Sequence, residues 1–261
     1  MKRVVFTQKG GVGKSSIAVN LAAIAAKEGR KTLLIDMDPQ CNASRYLAGD
    51  NVSTLVPTLA DFFRKSLEFQ FHPTPDTEYV HPTPFSNLFL IPSHPEIGDL
   101  QAKLESRHKI YKLRDTLNKL SEEFAEIIID TPPAYNFFSQ SALIAADVCL
   151  IPFDCDEFSR QALYTLLKNL QEIQADHNAG LRIEGIVVNQ FQARASVPQR
   201  LVEQLSEEKL PLLRTKLSSS VKMRESHGAN LPLIHMDASH KLTREFVDLY
   251  RELQTYSNPQ P

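Results

Sequence analysis

"QKGGVGKSS", Gln8 to Ser16, follows the apolar run "VVF" (Val4 to Phe6) and leads into an amphipathic stretch, Ser15 to Lys27. Strand, glycine-rich loop and helix, in that order, form the setting that a phosphate-binding loop requires. Gly10, Gly11 and Gly13 lack the Cβ atoms that would keep backbone N–H groups away from phosphate oxygens. With Val12 they make the cradle, and the helix starting at Lys14 adds the positive end of its dipole. Lys14 is placed to reach the β- and γ-phosphates, Ser15 to offer a hydroxyl to Mg²⁺, and Ser16 to support the α-phosphate. The strict pattern G-x-x-x-x-G-K-[ST] fails at its first glycine, where this chain has Gln8. A second lysine, Lys9, stands beside the failure.

Outward from this loop, short β-branched runs alternate with amphipathic stretches. The strands expected are Arg3 to Gln8, Thr32 to Met37, Asn87 to Ser93, Glu126 to Pro133, Val148 to Phe153 and Ile183 to Gln190. Their near-continuous apolar character suits strands buried on both faces, hence a mostly parallel sheet. Helices are expected at Ser15 to Lys27, Gln161 to Gln174 and His240 to Tyr256. The pattern predicts an α/β, doubly wound sheet flanked by helices in three layers, with residues 1–261 as a single domain. Phe69 to Asn87 holds four prolines and reads as an irregular excursion, either a partner-binding loop or a variable surface insertion.

Composition narrows the class. A hydrophobic content of 42% and a charged content of 23% belong to a soluble globular chain. The net charge of −2 points to neither nucleic acid nor membrane as a whole-chain partner, although an average can hide a local patch. Cys41, Cys149 and Cys155 show neither disulfide-framework nor zinc spacing, so a reducing, cytoplasmic setting is expected. No apolar run reaches spanning length. The chain enters a strand at once, without a signal peptide, and the tail "SNPQP" is no amphipathic anchor.

A triphosphate site needs carboxylates at neighbouring strand ends. "LLIDMDPQ" places Asp36 and Asp38 where one strand ends, and "EIIIDTPP" places Asp130 at the end of another. Asp130 can hold Mg²⁺ through water, with Asp36 as a further candidate, and Asp38 can face the γ-phosphate and its attacking water. Each aspartate alone could be a cap or turn residue.

"QKGGVGKSSIAVNLA", "LLIDMDPQCNASRYL" and "IIIDTPPA" resemble, in order and spacing, the deviant Walker A, A′ and B motifs of the ParA/MinD family. The likeness continues through "PTPFSNLFLIPS" and "IVVNQFQARA" to "VKMRESHGANLPLI", nearly the whole chain. Cys41 departs from the glycine that usually follows "DPQ" in the family. The resemblance implies a slow, Mg²⁺-dependent ATPase with Lys9 as signature lysine, Asp38 as hydrolytic aspartate and Asn189 as an adenine contact. It fits a physical role for Lys9: poorly placed for its own nucleotide, it can extend across a two-fold interface to a neighbour's phosphates, whose charge makes its burial tolerable. ATP would then complete a homodimer.

Within the family three readings compete: a DNA-partitioning ATPase, a MinD-like membrane ATPase, and a metabolic relative acting on a small acceptor. The polar tail speaks against the second, and the cysteines lack the pattern that a cluster-carrying relative needs. Lys209 to Arg224 contains five basic residues and no acidic one. Arg194, Lys216, Lys222 and Arg224 lie in segments corresponding to DNA-contacting regions of ParA proteins, although a solvated basic face has the same composition. No base-reading motif accompanies them, so contact with duplex DNA would be non-specific. The resemblance further implies nucleoid association in the ATP state and an adaptor (ParB-like) that stimulates hydrolysis. The cargo, whether plasmid, chromosome or another body, is not legible.

Overall fold

A computed structural model of the chain describes residues 1–69, 71 and 74–257, with backbone alone at 157–159 and 257. The first half runs β1 (Lys2–Val5), α1 (Lys14–Lys27), β2 (Thr32–Asp36), α2 (Asn42–Ala48), α3 (Leu59–Ser66), β3 (His81–Pro82) and β4 (Leu88–Ile91). Then follow α4 (Ile97–Ser106), α5 (Lys112–Leu120), β5 (Glu126–Asp130), α6 (Phe137–Ala145) and β6 (Val148–Asp154). The last part holds α7 (Glu157–Asp176), β7 (Arg182–Asn189), α8 (Ser196–Glu207), α9 (Val221–Gly228), α10 (Leu233–Met236) and α11 (Lys241–Ser257). The strands form one sheet in the order β3-β4-β2-β5-β1-β6-β7, parallel except for β3.

Successive side chains of a strand point to opposite faces, and here both faces are covered. Val4, Leu33, Ile35, Ile127 and Ile129 join one buried cluster with Phe63 of α3, Leu117 of α5, Phe138 of α6 and Leu170 of α7. Val5, Leu34, Ile128, Leu150 and Val187 join another with Ile17 and Leu21 of α1 and Phe246 and Leu249 of α11.

A strand apolar on both faces gains little register information from polarity, so its charged ends must supply it. At the N-terminal ends, Arg3 donates to both carboxylate oxygens of Glu184 (2.6 and 2.7 Å), and its guanidinium lies 3.5 Å from Glu126. Tyr250 of α11 donates to Glu126 at 2.8 Å. All four residues are nearly inaccessible to solvent, and a one-residue slip would leave charges buried and unpaired at several kcal/mol per ion, by order of magnitude.

The six expected strands are present, but β1 closes at Val5 and leaves Phe6 to Gly13 to the loop. The proline-rich excursion is more ordered than its composition suggests. A 3₁₀ turn at Asp76–Tyr79 buries Tyr79 edge-on against Phe62, with centroids 5.5 Å apart, and β3 pairs antiparallel with β4. Pro82 is tolerated because β3 is an edge strand. Of this segment, residues 70, 72 and 73 lie outside the described residues. Among the described residues, no helix is long and apolar enough to cross a membrane.

Candidate active site

Sheet register assembles the site at the C-terminal strand ends. Val5 pairs with Asp130, and Asp130 pairs with Asp36, so the start of the phosphate loop and two carboxylates stand side by side. Strand β6 runs on past its pairing with β1, and Asp154 at its end pairs with Asn189 of β7. These two overhanging strands flank the loop and hold it. Asn189 Nδ2 donates to Val12 O at 2.7 Å, and Gln190 Nε2 donates to Gly11 O at 3.0 Å.

The loop bends through two left-handed glycines, Gly11 (φ 76°) and Gly13 (φ 88°). A Cβ on Gly13 would lie 2.5 Å from Asn189 Nδ2, so both the backbone angle and the space demand glycine there. Above the loop opens a cavity of about 630 Å³ lined by Gly10, Gly11, Gly13, Lys14, Ser15, Ser16 and Asp38, and walled by residues of α2 and α9. A second cavity of about 480 Å³ shares Gly11, Gly13 and Ser16 with it and extends along Asn189, Gln190 and Ser218 to Met223. The first brings Lys14 and Asp38 together beside the glycine loop. The second lies beside Asn189, where an adenine contact was expected.

The two lysines point to different places. Lys14 lines the first cavity, its Nζ donating to Lys9 O at 3.1 Å. Burial lowers its pKa against the opposing pull of Asp130 and Asp38. Lys9 is on the same loop yet is not among the residues that line that cavity; its Nζ lies 3.3 Å from Asp154 Oδ2 and also bonds Asp156. Partial burial works against the Lys9 charge, but Asp156 and Asp154 outweigh it and hold its pKa above the ordinary lysine value.

The three candidate carboxylates have unequal surroundings. Asp36 accepts from Asp38 N (3.0 Å), Ser44 N (2.8 Å) and Ser44 Oγ (2.7 Å), which fixes the turn carrying Asp38. Burial nevertheless raises its pKa to about 6, against those hydrogen bonds. Asp38 lines the cavity and accepts from Gln40 N at 2.9 Å. Asp130 is fully buried, and neither carboxylate oxygen has a hydrogen-bond partner among the described residues. Burial and then the Asp36 charge push its pKa well above the carboxylate range, with Ser15 and Lys14 acting the other way.

A buried carboxylate with both oxygens open, beside a serine hydroxyl and a phosphate cradle, is the donor set of a hard divalent cation. Ser15 and Asp130 therefore fit Mg²⁺. Asp36, its oxygens already occupied by three donors, suits a supporting position better than a direct one.

Several wall residues escaped the sequence reading. His227 of α9 lies 3.0 Å from Ser16 Oγ through Nε2 and packs edge-on against Tyr46, with centroids 4.5 Å apart. Burial lowers its pKa, which favours the neutral ring. Arg45 of α2 lines the first cavity and forms no ion pair among the described residues. Spacing alone could not find these, because α2 and α9 are 173 residues apart between Ala48 and Val221.

The basic candidates come from adjoining segments. Phe191 N donates to Leu217 O at 2.8 Å, which draws the Arg194 loop beside the Lys216 segment, and α9 begins shortly afterwards. Arg194 and Arg224 are exposed. Lys216 sits over the Phe191 ring at 4.6 Å. Lys222 is less free: it pairs with Glu225 (3.3 Å) and Asp237 (3.9 Å).

Loop, register and carboxylates define a P-loop nucleoside triphosphatase, and residues 2–183 match the family described as an AAA domain. Over 259 residues the chain is 32% identical to the chromosome partitioning protein ParA of Myxococcus xanthus, covering 98% of this chain and 88% of that protein. It is 31% identical over 258 residues to the chromosome-partitioning ATPase Soj of Treponema pallidum, covering 97% and 96%. Apo McdA from Cyanothece shares the fold, with a TM-score of 0.84 at 24% identity over 98% of this chain and 99% of that one. The chain belongs to the ParA/Soj family of chromosome-partitioning ATPases.

Proposed function

We propose that this ATPase acts as a nucleotide-switched dimer: ATP joins two subunits through Lys9, and the dimer binds duplex DNA without sequence preference to position a cargo. The observation that carries the reading is the divergence of the two lysines on one loop. Lys14 lines the cavity, whereas Lys9 is neutralised by Asp154 and Asp156 outside it. A lysine that does not serve its own triphosphate is available to a partner's.

Within the subunit, the residues divide the work of phosphoryl transfer, which is chiefly positioning and charge stabilisation. The glycine loop and Lys14 bind and orient the phosphates. Ser15 and Asp130 would hold Mg²⁺, which supplies neutralisation of charge on the phosphate oxygens when bound. Asp38, held by the turn that Asp36 organises, orients the attacking water at the cavity wall. Asn189 and the second cavity receive the base. Positioning and charge alone give slow turnover, and an adaptor protein that completes the site raises it.

Arg194, Lys216 and Arg224, with Lys222 once its acidic partners release it, would supply phosphate contacts, and joining two subunits doubles their number. On this reading the ATP form associates with the nucleoid. The test is a mobility-shift titration of an unrelated pair of duplexes with ATP-bound and ADP-bound protein, alongside sedimentation with anionic liposomes. Binding to both duplexes in the ATP state alone supports the reading. Binding to liposomes with no duplex shift removes it.

A further inference from the structure

The two cavities of the site meet at Ser16 and His227, both of which line each of them. Ser16 is in the first turn of α1, where the α-phosphate is to be supported, and His227 is near the end of α9. Their contact is one of several polar ties between α9 and the nucleotide-binding helices. Ser226, next to His227, hydrogen-bonds Tyr46 of α2 and also donates to Leu231 O. Asn20 of α1 donates to Tyr46 Oη at 3.2 Å and accepts from Leu233 N, just beyond α9, at 2.9 Å. In α9 itself Ser226 is the one buried residue. The helix is therefore seated largely by polar bonds to α1 and α2 and little by apolar burial.

We propose that His227 is a positioning residue: it reads occupancy of the α-phosphate site through Ser16 and sets the position of α9, with Lys222 and Arg224 on it. Ser16 has a single hydroxyl proton. That hydroxyl is shared with His227 Nε2 at 3.0 Å. A phosphate oxygen, which can only accept, receives the hydroxyl's hydrogen bond when nucleotide binds. His227 then keeps its bond only by presenting Nε2–H, to Ser16 or to the phosphate, so the nucleotide selects one tautomer and one seat for the ring against Tyr46. Both states are local, but α9 carries them to its basic side chains. Arg224 already lines the second cavity, and Lys222 is tied to Asp237 beyond the helix. This is a coupling between two sites through one bistable contact, with different bonds in each state. Only its last step, from α9 to DNA, rests on the DNA reading above.

The test is amide hydrogen exchange over residues 221–228, measured without nucleotide and at saturating levels of a non-hydrolysable ATP analogue with Mg²⁺. In the parent protein the analogue should slow exchange about tenfold, because fixing one tautomer and one seat for the ring steadies α9 by ~1.4 kcal/mol. His227→Phe keeps a ring against Tyr46 but has no N–H, and should lose that slowing. His227→Gln restores a donor and should recover most of it. If His227→Phe is slowed as much as the parent, or the parent is not slowed at all, the proposal is overturned. Duplex titrations of the same variants separate the DNA step. A relay intact by exchange in a protein that binds no duplex supports the positioning role and removes the DNA reading. His227→Phe and parent proteins with equal ATP-to-ADP ratios of duplex affinity would overturn the link from α9 to DNA.

Discussion

Lys9 Nζ lies 3.3 Å from Asp154 Oδ2 within its own subunit, on a strand that overhangs the phosphate loop, and Asp156 completes the clasp. All three side chains are partly exposed, so each pair is worth at most ~1 kcal/mol and release costs about 1–2 kcal/mol in total. A partner's triphosphate offers far more charge than that. The clasp therefore restrains Lys9 without preventing exchange.

Loosening the clasp should favour the dimer. With Asp154→Asn and Asp156→Asn together, ATP should dimerise the protein at a concentration lower by about thirtyfold or more, since a dimer releases two clasps at about 1–2 kcal/mol each. A dilution series followed by light scattering measures this. A variant needing more protein than its parent would show that the two aspartates assist the dimer instead.

Asp130 should make the metal-free protein weaker at neutral pH than at mildly acidic pH. Its pKa, like that of Asp36 at about 6, is raised in the fold, so the native state holds protons that the unfolded chain has released. Stability from such groups is full below the unfolded value near 3.9 and is lost as pH rises through the folded value. Asp130→Asn removes its share of this penalty. The metal-free variant should melt higher than the parent at pH 7.5, by a few degrees, and the gap should close toward pH 4. Mg²⁺ should no longer stabilise its nucleotide complex. Parallel melting curves across pH would contradict this assignment.

Gly13→Ala combines a left-handed backbone, about 1–2 kcal/mol for a side-chain-bearing residue, with a Cβ 2.5 Å from Asn189 Nδ2. Losing the Asn189 bond to Val12 O adds about 1 kcal/mol. Denaturant melts should show a total near 2–3 kcal/mol and at least tenfold weaker ATP binding. Adding Asn189→Ala should restore part of the stability, because only the contact is relieved. Equal stability of single and double variants would place the whole cost in the backbone.

Much of this site was legible in the sequence because its parts are local. Gly10 to Ser16, Asp38 and Asp130 each sit at a strand end that apolar runs mark, and parallel strands bring such ends together. The two-residue β3 was not legible, since a proline-rich run can join an edge strand with only His81 and Pro82. Nor were His227, Tyr46 and Arg45, whose meeting depends on how α2 and α9 pack around α1. The open oxygens of Asp130 and the occupied ones of Asp36 look alike in sequence, because the difference is made by Ser44 and by the Asp38 backbone.

Salt should report the number of DNA contacts. Four basic residues per subunit give about eight in a dimer, and a slope of log affinity against log salt near −7. Replacing Arg194 and Arg224, the two exposed members, by alanine should bring the slope toward −3.5, equally on all sequences. Loss confined to one sequence would indicate base reading instead.

The most direct measurement is the mass in solution of an Asp38→Ala protein, which should retain ATP, with and without Lys9→Ala. With MgATP the 29.4 kDa chain should double in mass, and with MgADP it should not. The variant that also carries Lys9→Ala should stay monomeric in both. A dimer that forms as readily without Lys9 as with it would contradict the account.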